Sequence, residues 1–346
     1  MPETEIETPE APTGDGDGAA VGVTAPAVVP THAVSLLLTA GSGTRFGTFV
    51  HEVFERLDFP SAQPHADDAC ASLDALLAAL GTRNGYATTS REQAHVRAAL
   101  PHILHTPLGS STKHEYGLHE LPGDFKLAQL SRADRLDELG FDLSLGAGTR
   151  YERPAARLAD TGALAARPGC VDPQAVYAAL EAANGDPRLK PWLDFQRQRS
   201  DEGKALIGSL AGILTGSIDL AFRVGETPES ARYFVADYKT NRIEGCEPGH
   251  FTGPWLDWKM QTSGYLLQSL LYSLALHRHL RTRLRGYAYE THFGGALYLF
   301  VRGMVGTETP RCAETGHCLG VHAQRWPEAV IKTLDAALTP AAKETP

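Results

Sequence analysis

Two carboxylates and a lysine fall within one short stretch of the chain. GSIDLAF (216–222) carries Asp219, and ADYKTN (236–241) carries Asp237 and Lys239. Both lie in segments that read as β-strands, ILTGSIDLAF over 213–222 and RYFVADY over 232–238. β-Branched and aromatic residues dominate there, and the Gly/Pro/Ser-bearing loop between them suits a hairpin. Side chains alternate along a strand, so Asp237 and Lys239 point to the same face, about 7 Å apart. If the two strands pair, Asp219 lies across from Asp237, and two carboxylates converge with an ammonium. Hard oxygen ligands of this kind select Mg²⁺. The chemistry that follows is metal-assisted hydrolysis of a phosphodiester, with the ion polarising the phosphate and acidifying water. The lysine would orient that water and offset developing charge. Asp-x-Lys alone is commonly no more than a surface ion pair, so the aspartate on the preceding strand strengthens the reading.

Elements must exist to hold these groups in place. Phe46, Phe49, Val50, Val53, Phe54 and Leu57 recur at helical spacing, which predicts a helix over 47–57. Ala/Leu-rich segments predict helices over 67–80 and 91–104. Asp172-Pro173 opens another, with Asp as N-cap and Pro in the first turn. After the two strands the pattern predicts one long amphipathic helix over 259–284, a strand over 296–301 (ALYLFV) and a closing helix over 326–337. Helices around a small sheet make an α/β or α+β domain. No internal repeat is visible.

Bulk properties narrow the classes. The 346 residues are 42% hydrophobic and 21% charged, as in an ordinary globular protein. No apolar run approaches the roughly 18 residues that span a bilayer, and the acidic N-terminus does not read as a secretory signal. No membrane association and a cytoplasmic location are the default expectations. Net charge is −9, and residues 2–33 hold six acids (Glu3, Glu5, Glu7, Glu10, Asp15, Asp17) with no Lys or Arg, leaving −3 for the rest. That is not the basic footprint of a free-standing DNA binder. The five cysteines (Cys70, Cys170, Cys246, Cys312, Cys318) are scattered without zinc or iron–sulfur spacing and read as reduced thiols. GSGTRFG (41–47) is not a phosphate loop, and the sequence contains no Walker A motif. The basic run from His277 through Arg285 fits phosphate tracking, a solvated helix face or a docking surface equally well.

The strand pair 216–222 and 236–241 resembles the PD-(D/E)XK nuclease superfamily and, within it, the C-terminal nuclease domain of RecB, the β subunit of exonuclease V. Three further stretches carry the resemblance. GTFVHEVFE (47–55) is similar to that family's Gly-x-x-x-His-x-x-Phe-Glu element. YLLQSLLYSLALHRHL (265–280) is similar to its Gln-x-x-x-Tyr helix, through Gln268 and Tyr272. YAYETHFGGALYLFVRGM (287–304) resembles a block particular to the RecB branch. The resemblance implies a restriction-endonuclease-like core, a small mixed sheet flanked by helices. It also implies that His51, Asp219, Asp237 and the backbone carbonyl of Tyr238 hold Mg²⁺ (or Mn²⁺ as a substitute), and that Lys239 is the catalytic lysine. Gln268 and Tyr272 would line the site on the DNA side, one helical turn apart. Glu138, in LDELGF (136–141), would be an acidic residue placed before the core strands. Taken alone, His51 reads as a satisfied helix histidine and Tyr265 as part of a core-facing stripe with Gln268 and Tyr272.

The expected organisation is a disordered acidic, Pro/Ala-rich leader over 1–34, a RecB-like nuclease domain over 35–340 and a tail over 341–346. The expected activity is metal-dependent hydrolysis of DNA phosphodiesters in recombinational repair or end processing. Expected partners are DNA and, as the resemblance implies, RecC-like and RecD-like subunits and a helicase domain or subunit. The chain would be either a free-standing nuclease or the final domain of a larger β subunit. The competing expectation is a non-catalytic nuclease-fold scaffold for DNA-end binding or subunit docking.

Overall fold

The structure, a computed structural model, describes residues 41–64, 71–111, 118, 121–145, 173–183, 189–201, 212–242 and 248–338. The expected leader and tail, Asp172, and Cys70, Cys170 and Cys246 lie outside the described residues. Cys312 and Cys318 are free thiols, as expected.

In chain order the elements are α1 (Thr44–Arg56), α2 (Ala71–Arg83), α3 (Arg91–Leu104), β1 (Arg135–Leu145), α4 (Pro173–Ala182), α5 (Leu189–Asp201), β2 (Gly212–Val224), β3 (Arg232–Lys239), α6 (Gly253–Thr262), α7 (Tyr265–Arg283), α8 (Tyr289–His292), β4 (Phe293–Phe300), β5 (Val321–Gln324) and α9 (Glu328–Leu338). The strands form one mixed sheet in the order β1-β2-β3-β4-β5. β1–β2, β2–β3 and β4–β5 pair antiparallel, and β3–β4 pair parallel, joined through α6, α7 and α8. A parallel pair needs such a crossover, since a tight turn cannot reverse the chain twice. This is the small mixed sheet flanked by helices that the resemblance implied.

Apolar residues on the two faces of the sheet build two cores. Leu220, Phe222, Phe234, Ala236, Tyr238, Leu297 and Leu299 pack under α1, α2 and α3. Val235, Ala296, Tyr298 and Phe300 pack under α4 to α7 and α9. β4 is buried at every position, which is why FGGALYLF reads as a continuous apolar run rather than an alternating one.

One local expectation needs correction, some elements were not expected, and one open reading is narrowed. The helix predicted over 259–284 is two helices, because Gly264 adopts φ 75° and breaks the run between Thr262 and Tyr265. β1, β5 and α5 went unpredicted. β1 (RLDELGFDLSL) alternates over Leu139, Phe141, Leu143 and Leu145, but three acids and the break at Glu138 hide the strand, which ten residues confirm by registering against β2. The basic run of α7 is partly a helix-docking surface, since Arg278 and Arg281 both pair with Asp335 of α9.

Candidate active site

The β2–β3 ladder covers Leu220 to Val224 of β2 and stops at the pair Leu220–Ala236. The next residues on the two strands are Asp219 and Asp237. Here β2 leaves β3, and the Tyr238 N–H donates to Asp219 Oδ2 at 2.8 Å. The sequence expectation that Asp219 and Asp237 meet across a hairpin holds, with one backbone donor captured by a side chain where the strands diverge.

α1 brings His51 to the same place. Its buried stripe, Phe46, Phe49, Val50, Val53 and Phe54, seats the helix on the sheet. The Phe54 ring stacks on Tyr238 with centroids 4.1 Å apart. That seating leaves His51 on the flank, 30% exposed, with Nδ1 3.3 Å from Asp219 Oδ2. Glu138 of β1 completes a cluster: one ligand atom each from His51, Glu138 and Asp219 lies within 4.8 Å of the others. Glu138 stands in the left-handed region at φ 50°, the sole non-glycine residue there among the described residues. Such a conformation costs on the order of 1–2 kcal/mol for a side-chain-bearing residue. The Ser217 hydroxyl donates to Glu138 Oε2 at 2.7 Å and fixes the carboxylate. Glu138 was expected before the core strands; it lies within an edge strand of the sheet itself.

Asp237 and Lys239 share the opposite face of β3, as strand alternation requires. Lys239 Nζ lies 2.7 Å from Asp237 Oδ2 and donates to Gln268 Oε1 at 3.1 Å. Gln268 Nε2 in turn donates to the Tyr272 hydroxyl at 2.8 Å. Gln268 and Tyr272 thus hold the lysine from α7, and Tyr272 is almost fully buried. The Tyr265 ring lies under the ammonium, 4.1 Å from Nζ, and its hydroxyl donates to Asn241 Oδ1 at 3.2 Å. Tyr265 was read as core; it packs there and also carries a cation–π contact to the lysine.

Electrostatics follow from crowding. Burial works to lower the His51 pKa, but the Asp219 charge and hydrogen bond outweigh it and hold the value at about 9. Burial works to raise Asp219, and the His51 and Lys239 charges with the Tyr238 N–H overcome it and keep that carboxyl ionised. Asp237 is pushed up to about 6 by burial and by the Asp219 charge, against the pull of Lys239. Burial works to lower Lys239, and Asp237 more than compensates, so the ammonium stays charged. Glu138 is raised by burial and by Asp219. Asp219, Asp237 and Glu138 face one lysine, so two negative charges are left over unless a cation joins them. The imidazole meets part of that demand by holding a proton well above its ordinary range. A carboxylate-rich, imidazole-bearing donor set with unmet negative charge fits a hard divalent ion.

Arg302 was not singled out in the sequence. It is 2% exposed, donates from Nε to the Thr240 carbonyl at 2.8 Å and from Nη2 to the Gly41 carbonyl, and lies over the Phe46 ring. It ties the end of β3 to the start of α1, and so sets Lys239 relative to His51. The signal was the VRGM end of the 287–304 block.

No protein-family model matches the chain. Among curated proteins, it is 36% identical over 312 residues to the RecBCD enzyme subunit RecB of Mycobacterium tuberculosis, an alignment covering 88% of this chain and 24% of that protein. It is 34% identical over 303 residues to the RecB subunit of Mycolicibacterium smegmatis, covering 86% of this chain and 24% of that one. To RecB of Escherichia coli it is 46% identical over 93 residues, 27% of this chain and 7% of the other. The chain spans about a quarter of the length of the mycobacterial relatives it matches. With the mixed sheet and the carboxylate–lysine site at the mouth of its central hairpin, it belongs to the RecB family as a RecB-type domain.

Proposed function

We propose that this domain is a metal-dependent nuclease that hydrolyses DNA phosphodiesters, working in a RecB-type repair assembly. The observation that carries the reading is the meeting of His51, Glu138 and Asp219 beside the Asp237–Lys239 pair. Mg²⁺, with Mn²⁺ as a substitute, would be held by Asp219, Asp237, His51 and the Tyr238 carbonyl, with Glu138 as a further carboxylate. When bound, such an ion polarises a phosphate oxygen and favours ionisation of the attacking water.

The side chains do the rest. Lys239 stays protonated, so it acts as a donor and a positive charge, orienting water and countering charge that develops on the phosphate. Gln268, the Tyr265 ring and Asp237 fix the ammonium from three sides, which limits the reorganisation needed at the moment of reaction. Asp219 keeps its full charge at neutral pH. Partner subunits resembling RecC and RecD, with a helicase domain or subunit, would feed the strand to a domain whose own charge does little to attract DNA.

The test is cleavage of end-labelled DNA by the purified chain with Mg²⁺, with EDTA, and in Asp219→Ala and Lys239→Ala variants. Metal-dependent cleavage abolished by either substitution is expected. Cleavage that persists in EDTA or in both variants would remove the proposal, and an RNA strand run alongside identifies the sugar preferred.

A further inference from the structure

Two of the four tryptophans, Trp192 and Trp326, are fully buried. The other two, Trp255 and Trp258, lie three residues apart on one face of α6 and are only half-buried. α6 anchors itself through Leu256 and Met260. Trp255 leans on that core, packed edge-on against Phe251 and Phe300 with centroids 5.1 and 5.5 Å away. Trp258 lies beside it, with ring centroids 6.4 Å apart.

The inner of these rings packs on the same core as the site. Phe300 is 6.2 Å from Tyr265, and Tyr265 is the ring that lies 4.1 Å under the Lys239 ammonium. Phe300 is itself fully buried, so α6 and the lysine's aromatic support share one piece of core, with Trp255 on one side of that ring and Tyr265 on the other. A cation accompanies Trp258, since Lys259 Nζ lies 5.8 Å from its ring. The helix's single acid, Asp257, is directed to His322, 3.3 Å away.

We infer that Trp255 and Trp258 form a stacking subsite for unpaired nucleobases on the α6 side of the site, a few nucleotides from the scissile phosphate, with Lys259 for the adjoining backbone. The inference rests on the proposed nuclease reading and deepens it by assigning residues that hold the strand. A phosphate at Lys239 must be flanked by its own bases, and a π-face of two indoles accepts any base without regard to sequence. In a duplex the base faces are already stacked on one another, so the subsite selects strands whose bases are free. Both indoles keep part of their surface open on one helix face, and that surface would gain from being covered.

The experiment compares a fluorescein-labelled oligothymidylate with an abasic strand of equal length and equal phosphate charge. Binding is followed by anisotropy with Ca²⁺ in place of Mg²⁺. The wild-type chain should bind the base-bearing strand about tenfold more tightly, a preference set by stacking of one or two bases. Trp258→Ala should bring the two affinities to within about twofold while leaving the abasic strand unaffected, and Trp258→Phe should keep most of the preference. Equal wild-type affinities, or a preference that survives Trp258→Ala, would overturn the subsite. Cleavage of the same strands in Mg²⁺ is read separately. Base preference without cleavage would reject the nuclease reading and leave the subsite standing; cleavage without base preference would reject the subsite alone.

Discussion

Metal binding at this site should compete with a proton on His51, and the size of the competition follows from the local charges. The imidazole faces Asp219 at 3.3 Å on β2, Glu138 within the same cluster on β1, and Asp237 and Lys239 on β3. With its pKa raised from 6.5 to about 9, the ring is protonated at neutral pH in the metal-free chain. That rise corresponds to roughly 3 kcal/mol of preference for the imidazolium. A ligating imidazole must be neutral, so at pH 7.5 proton loss should weaken metal binding by roughly thirtyfold. The logarithm of the affinity should rise by about one per pH unit from about pH 6.5 and flatten near 9. Below about pH 6 it should steepen, as Asp237 also takes up a proton. Folding stability has the opposite sign: the His51 contribution is complete below about pH 6.5 and fades as pH rises through about 9. The assay is calorimetric titration with Mn²⁺ in buffers of different ionisation enthalpy, alongside NMR titration of the His51 ring. An NMR value near 6.5, or metal uptake at pH 7.5 with no proton released, would refute the reasoning.

Other expectations separate roles within the site. Asp237→Ala should lower both Mn²⁺ affinity and cleavage, whereas Lys239→Ala should abolish cleavage and leave Mn²⁺ affinity largely intact, since an ammonium cannot ligate a cation; equal losses of affinity in calorimetry would contradict the assignment. Glu138→Gly should relieve the left-handed strain at φ 50° and leave urea stability unchanged or raised by up to about 1 kcal/mol, while metal affinity drops. A clear loss of stability would show that the Glu138 backbone is not strained. Arg302→Met should destabilise the fold by about 3 kcal/mol in urea, because two carbonyls, of Thr240 and Gly41, lose a charged donor; a midpoint within error of wild type would show that the tie is dispensable.

The sequence by itself determined the local geometry of the site. Period-two alternation put Asp237 and Lys239 on one face of β3, and the loop composition suggested the hairpin that would bring Asp219 opposite. The spacing of Phe46, Phe49, Val50, Val53 and Phe54 set which side of α1 is buried, leaving His51 at its margin. Such patterns are legible because they depend only on the repeat of the backbone. What tertiary structure decided lies between distant segments. The alternation of β1 over 139–145 does not say which strand it joins, and pairing with β2 carried Glu138 to His51 and Asp219. The lysine's partners come from α7, 26 and 29 residues onward at Tyr265 and Gln268. Arg302 reaches a carbonyl 261 residues away in sequence. A contact of this kind leaves no periodic trace in the chain, because it is chosen by how whole elements pack and by which buried polar groups must find partners once they do.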